Sequence, residues 1–500
     1  MAKQYSEYMD EITPERLYEG LLGYGMFTKK LPSIFSSREF YNYVRNNNSQ
    51  FCRKEHGYVF YESIRNTNIP RELGIPHPIA YQLLCDCIKN NWFNLREYFH
   101  SMTDEWRYKV SRIHIRLKSR TKCLFKMNYH QWKLDPDPIP DILIGKRYVV
   151  KADISTCFPS IYSHSLSWAL IGKDKSKESR NDKRLWTNQI DFFTRNIRSG
   201  ETHGLMIGPH ASNLLSEIVL TAVDSMLVKR WDYIRNIDDY TCYVKTYDEA
   251  NSFLSDLRKA LHEYDLLLNH RKTVIDELPV SITKHWVRQL NSFGFRFVDS
   301  ELSYKQVQAY LDSVVGLMDD NNSDSAILNY AIKVLAKFRM SHNAMEYASK
   351  TILHLSFIYP YLVPLLNNHV FTSFKSDVND ISSFSNLLYN ASLSEENYEA
   401  VIYSLFFAIM YRFRIADLAV DDVIDSNSCL FKLFAWVYYR IINDRQALHC
   451  LHDHALSLCN YGFDDNYWLF IYEVLESSQL QDEWKCLKNH GVSFIKNKYL

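Results

Sequence analysis

The chain has no apolar run able to cross a bilayer. Its longest, Val401 to Tyr411, falls far short of the ~20 residues that a spanning helix needs. The opening Met-Ala-Lys-Gln-Tyr-Ser-Glu-Tyr lacks the charged-then-apolar order of a secretory signal. Ten cysteines are scattered singly, without the dense, even spacing of a secreted disulfide scaffold. Lys plus Arg and Asp plus Glu both number 58, so the net charge is zero and a general basic coat for nucleic acid is absent. No sequence repeat of fixed period is found. These absences predict a cytoplasmic protein with no membrane association. Its 500 residues, 46% apolar, are enough for roughly two or three domains with large cores.

What is present is an ordered set of acidic and glycine motifs. Asp153 ends the apolar run Val149-Val150-Lys151-Ala152-Asp153. Asp238-Asp239 lies between two β-type runs, Tyr233 to Ile237 and Tyr240 to Val244. Gly204-Leu205-Met206-Ile207-Gly208 comes between them in the chain, and Leu268-Asn269-His270-Arg271-Lys272-Thr273 follows. A lone Asp-Asp pair is weak evidence, because the chain has three others, at Asp319-Asp320, Asp421-Asp422 and Asp464-Asp465. Context separates Asp238-Asp239 from these. The succession is that of a polymerase palm, in which two Mg2+ ions need carboxylates from separate strands that meet at one point. Asp153, Asp238 and Asp239 are the candidate catalytic residues and metal ligands.

Around this triad, Phe158 is placed to crowd the 2′ position of a sugar. Gly208, with Gly204, would let backbone approach a nucleotide closely. Lys272 would neutralise phosphate charge or protonate departing pyrophosphate. From Arg107 to Lys133 nine basic residues occur with no acidic one, interleaved with Tyr108, Phe125, Tyr129 and Trp132. Such a segment can hold phosphates and stack bases, or be a solvated helix or hairpin face; its place just upstream of the Asp153 strand favours the first reading, so Lys109, Arg112 and Arg116 join the candidate substrate-binding residues. His449-Cys450-Leu451-His452-Asp453-His454 contains metal-ligand types, but its spacing fits no closed zinc pattern. Ordinary histidines at a helix terminus are the favoured reading. Cys85 and Cys87 lie on opposite sides of a helix as core fillers.

The expected organisation is α+β. Residues 1–145 form an N-terminal segment and fingers, with a helix over Ile79 to Lys89. Residues 146–300 form the palm, with a strand ending at Asp153, a helix from Ala211 to Arg230, the Asp-Asp hairpin, a helix from Asp248 to Tyr264 and a closing strand at Phe293 to Val298. A linker is expected near Asp319-Asp320-Asn321-Asn322. Residues 301–500 read as stacked helices, with Ser392 and Glu395 as a capping box and Leu430 to Ile442 as a buried helix.

Four segments carry a family resemblance: Ala-Asp-Ile-Ser-Thr-Cys-Phe-Pro-Ser-Ile-Tyr at 152–162, Thr-His-Gly-Leu-Met-Ile-Gly at 202–208, Ile-Asp-Asp-Tyr at 237–240 and Leu-Asn-His-Arg-Lys-Thr at 268–273. They resemble the reverse transcriptases, and more closely the bacterial abortive-infection branch, AbiK-like and prophage-encoded. The resemblance implies a HEAT-like helical-repeat domain in place of a thumb. It also implies antiphage defence, a homo-oligomer (trimer or hexamer), dNTP substrates, and a single-stranded DNA product made without template and primed from a tyrosine of the protein. Two positions depart from ordinary reverse transcriptases. Asn236 replaces an aromatic before the Asp pair, and Ile207 replaces a template-side glutamine. Among 35 tyrosines, Tyr24 in Leu22-Gly23-Tyr24-Gly25 is the first primer candidate, with Tyr5 and Tyr8 as alternatives. A weakly catalytic scaffold that binds or senses nucleic acid, and a templated reverse transcriptase, are the competing readings.

Overall fold

The computed structural model describes residues 5–47, 51–67, 69–116, 124–127, 137–281, 283–321, 324–460 and 463–499. Its centre is a four-stranded antiparallel sheet. Strands β1 (Tyr58–Ile64) and β2 (Pro70–Pro76) form a separate hairpin, and β3 (Ile113–Ile115) pairs with β4 (Phe125–Met127). The central sheet is built from β5 (Tyr148–Asp153), β6 (Tyr233–Asn236), β7 (Asp239–Val244) and β8 (Val274–Glu277), in the order β6-β7-β5-β8.

Period-two alternation explains how this sheet is covered on both faces. Val150, Ala152, Tyr233, Tyr240 and Cys242 point into the main core. Val149, Ile234 and Tyr243 point the other way, onto Ile139 and Ile142 of the short helix Ile139–Leu143. Against the main face lie helix His210–Leu227, buried along most of its length, and helix Tyr247–His262. Thr246 starts the latter by accepting from the Glu249 N–H, and Phe253, Leu257 and Leu261 form its buried stripe.

The C-terminal half is helical. Helices Val378–Ser394, Tyr398–Tyr411, Cys429–Ile442 and Trp468–Val474 pack in succession, each on the next. Tyr398–Tyr411 and Cys429–Ile442 are apolar nearly all round because they lie inside this stack. The chain end then returns to its beginning. Ser36 N–H donates to Phe494 O (2.8 Å), Lys496 N–H donates to Ile34 O (2.9 Å), and one core runs from Met9 to Tyr499. No helix among the described residues is long and apolar enough to cross a membrane.

Three local expectations are corrected. Phe293 to Val298 is not a strand of the central sheet. Phe293 and Phe295 pack on the Tyr310 ring at 5.1 and 5.0 Å, and Phe297–Val298 pairs only with Glu301–Leu302. The palm's outer strand is β8. Asp319-Asp320 ends a helix, Tyr304–Asp320, rather than sitting in a linker. Ser392 is buried inside helix Val378–Ser394, and Asn397 caps the next helix by accepting from the Ala400 N–H. A serine followed by a glutamate three residues on forms a capping box only where a helix begins.

The β1–β2 hairpin is fastened to the helical half by Glu399, whose Oε2 accepts from the Ile64 N–H at 2.7 Å. Burial raises the Glu399 carboxyl to about 7. Its protonated form therefore stabilises the fold fully below about 4.5, the unfolded carboxylate value, and this contribution is lost as pH rises to about 7. The melting temperature should fall between pH 5 and 8, and Glu399→Gln should flatten that fall, by about 1–3 kcal/mol in stability. Parallel melting curves for both proteins across that range would contradict the assignment.

Candidate functional site

The site begins with a buried cation. Arg235 on β6 is fully buried and meets two helix carboxylates, Glu217 at 3.0 Å and Asp224 at 2.7 Å. Tyr233 donates its hydroxyl to Asp224 Oδ1 (3.0 Å). Arg235 Nη1 also donates to Ile237 O (2.9 Å), at a residue with φ of +57°. A β-branched residue in the left-handed region is strained, and this bond holds it there. The turn is thereby fixed at the residue just ahead of Asp238 and Asp239.

Register then brings the third carboxylate in. Asp153 pairs with Asp239 across β5 and β7, and Ile154 N–H donates to Asp238 O (3.1 Å). On the other side Asn269 N–H donates to Asp153 O (2.8 Å), and Asn269 Nδ2 donates to Asp153 Oδ2 (3.1 Å). Lys272 Nζ lies 2.6 Å from the same oxygen. Asp153 is buried, Asp238 half-buried and Asp239 exposed. Burial and the Asp153 charge raise the Asp238 carboxyl; burial, then Asp238 and Asp153, raise Asp239 to about 6. Hydrogen bonding to Asp153 raises Lys272. Crowded carboxylates with raised pKa values make this a candidate functional site. Their hard oxygen donors suit a divalent cation such as Mg2+.

Phe158 stands half-buried in the one-turn helix Cys157–Ser160 that follows Asp153, and its carbonyl accepts from the Leu205 N–H (2.7 Å). This bond ties it to the glycine motif. The glycines meet protein backbone rather than an open nucleotide surface. Gly204 has φ of +92° and an added Cβ would lie 2.8 Å from Pro159 O; at Gly208, with φ of +137°, it would lie 2.6 Å from Gly74 O. Gly74 N–H donates to Ile207 O (2.9 Å), which closes β2 onto the motif.

The basic segment departs from expectation. Lys109, Arg112 and Arg116 are buried rather than lining an open surface. Lys109 and Arg116 sit over the Tyr8 ring at 4.2 and 4.9 Å. The Arg112 N–H donates to Arg235 O (2.7 Å), so this segment is bound to the edge of β6. Residues 117–123 and 128–136, which carry Lys118, Arg120, Lys122, Tyr129, Trp132 and Lys133, lie outside the described residues. Tyr8 is buried, whereas Tyr24 is exposed with the Arg38 guanidinium 4.6 Å from its ring centre. Tyr5 opens the helix Tyr5–Asp10 and its side chain lies outside the described residues.

Two residues escaped the sequence reading. Arg71, exposed on β2, is close enough that its charge lowers the Asp238 pKa. No motif marks it. Arg235 had a signal, since Glu217 and Asp224 stand two turns apart on an apolar helix and demand a buried cation. The His449 to His454 run forms no metal cluster; His449 pairs with Asp453 at 2.9 Å and His452 with Gln479. Among the described residues, the group with metal-ligand proximity is His56, His77 and Asp465. There the rings stack at 3.7 Å and His77 Nδ1 accepts from the Ile79 N–H, which puts the neutral ring's proton on Nε2, the nitrogen 3.6 Å from Asp465, and leaves it no lone pair for an ion.

Residues 89–297 match the family described as reverse transcriptase (RNA-dependent DNA polymerase). The chain contains a reverse-transcriptase domain. All three carboxylates, Phe158 and Lys272 fall inside it; Arg71, Tyr8 and Tyr24 fall outside. No curated protein matches the chain. Among solved structures it is similar to apo telomerase from Candida tropicalis truncated from its C-terminal domain, at 11% identity and TM-score 0.28, over 48% of this chain and 55% of that one. The apo telomerase of the same species gives 11% identity and TM-score 0.31, over 87% and 73%. Telomerase from Candida albicans with a TWJ fragment of telomeric RNA gives 12% and 0.30, over 96% and 68%. Likeness at these scores carries no argument about function.

The reverse-transcriptase domain depends on Arg235 for the shape of its turn. Removing one partner of a buried charge network costs about 3–5 kcal/mol. Arg235→Met should lower the melting temperature accordingly, and adding Glu217→Gln with Asp224→Asn should recover part of the loss. Full stability in Arg235→Met alone would show that the network does not hold the turn.

Proposed function

We propose that the chain is a DNA polymerase of the abortive-infection type, which extends a tyrosine of its own with deoxynucleotides and needs no template. The observation that carries this reading is the convergence of Asp153, Asp238 and Asp239 beside Lys272. Two Mg2+ ions held by the three carboxylates would activate the attacking hydroxyl and offset charge on the transferred phosphate. Lys272 would pass from Asp153 to the departing pyrophosphate, and Phe158 would exclude a 2′-hydroxyl. Arg71 would meet the triphosphate from the hairpin above.

Untemplated synthesis is supported by Ile207 standing where a template-side glutamine is expected, with its carbonyl already engaged by Gly74. Tyr24 is favoured over Tyr8 because it is exposed, while Tyr8 is covered by two cations. The reading extends to antiphage defence, a homo-oligomer, and a helical-repeat unit over 301–500 in place of a thumb. A nucleic-acid-binding scaffold is less well supported, since binding alone requires no crowding of carboxylates.

Asp238→Asn or Asp153→Asn should lower labelled dNTP incorporation with Mg2+ by about 100-fold or more, at an unchanged melting temperature. Full incorporation by either variant would refute a catalytic triad.

Mass spectrometry after nuclease trimming should find a nucleotide remnant on Tyr24, absent from Tyr24→Phe. Active enzyme with no nucleotide on any residue would exclude self-priming, whereas a remnant on Tyr5 or Tyr8 would move the primer only.

A further inference from the structure

Helices His164–Ile171, Lys173–Glu178 and Trp186–Asn196 enclose a cavity of about 800 Å³ that none of the three carboxylates lines. Tyr162, Trp168 and Phe192 supply its rings. Lys177, Arg180 and Lys183 stand exposed on its rim, and among the described residues none of the three is in an ion pair. Ser167 beside it is buried, and among the described residues its hydroxyl has no hydrogen-bond partner. His164 is held through Nδ1 by Asp191 at 2.7 Å, so that wall is fixed before anything binds.

We propose that this cavity binds a nucleotide unit, with its base against the rings and its phosphate on the rim cations. Unpaired cations around an aromatic hollow fit that chemistry on both counts. Phosphates are held by lysine and arginine, and any base presents a π-face. The volume falls within the range of pre-formed small-molecule sites. An acidic peptide would satisfy the cations and leave the rings unmatched. The cavity is also joined to the glycine motif. Tyr162 bridges to His203, and Ser163 N–H donates to Thr202 O (2.8 Å), just ahead of Gly204. The occupant is either a free nucleotide or one residue of a single strand that passes the domain, and both share this chemistry. The inference does not require the chain to be a polymerase.

The test titrates the full chain, in EDTA to prevent synthesis, with labelled oligothymidylate of about ten nucleotides and separately with labelled dTTP. Lys177→Glu with Arg180→Glu should weaken binding of the resident probe about tenfold or more. For the strand, the slope of log affinity against log salt should fall by about 1.4, or about 0.7 for each of two phosphates. Trp168→Ala should weaken binding about tenfold with the slope unchanged. Loss confined to the oligonucleotide assigns the site to a strand, and loss confined to dTTP assigns it to a free nucleotide. Unchanged affinity for both probes in the charge-reversal protein, at wild-type melting temperature, overturns the proposal. Displacement of either probe by polyglutamate at equal phosphate or carboxylate concentration overturns it too. Nucleotide incorporation is a separate readout, so failure here and failure of the polymerase reading are distinguishable.

Discussion

One buried guanidinium organises this molecule. Taking Arg235 and its two carboxylate partners out of water costs several kcal/mol per ion. The fold offsets that cost only by completing the network with Glu217, Asp224 and the Tyr233 hydroxyl. Burial raises the Asp224 carboxyl even so. The same residue reaches in three directions. Its side chain joins the sheet to helix His210–Leu227 and fastens the Ile237 turn, while its backbone binds the 110–112 segment through Val110 O and the Arg112 N–H. Core, turn and basic segment thus share one anchor.

The site uses the rigidity that this anchor provides. Left to themselves, three neighbouring carboxylates would move apart. Here sheet register and the bonds from Ile154 and Asn269 hold them together, and burial, with repulsion between the carboxylates added to it, raises the Asp238 and Asp239 carboxyls. Lys272 relieves part of that repulsion from the exposed side and Arg71 from the hairpin.

The helical half contributes by position. Through Glu399 on Ile64, and Asp465 on His56 and Gly57, it steadies both ends of β1. β2, paired to β1 along its whole length, is thereby held with Arg71 near Asp238 and Gly74 against Ile207. The helices at the C-terminal end of the chain therefore bear on the geometry of a domain matched only over 89–297.

Period, turn chemistry and motif order were enough to identify β5, β6 and β7 but not the outer strand β8, and also the Asp238-Asp239 turn, helices such as Pro78–Asn90 and the buried Cys429–Ile442, because each of these rests on neighbours in sequence. The four Asp-Asp pairs show where that ends. Asp319-Asp320 closes a helix, Asp421-Asp422 opens one, and Asp465 reaches across the chain to His56, while only Asp238-Asp239 lies in a hairpin turn. β runs on either side distinguish the hairpin pair locally; nothing local could find the histidine partner of Asp465. Likewise nine cations in one segment read as a nucleotide surface, yet Lys109 and Arg116 cover Tyr8, a residue about a hundred positions away. Which charges meet solvent and which are buried against a distant partner depends on packing between segments remote in sequence, and only the tertiary structure decides it.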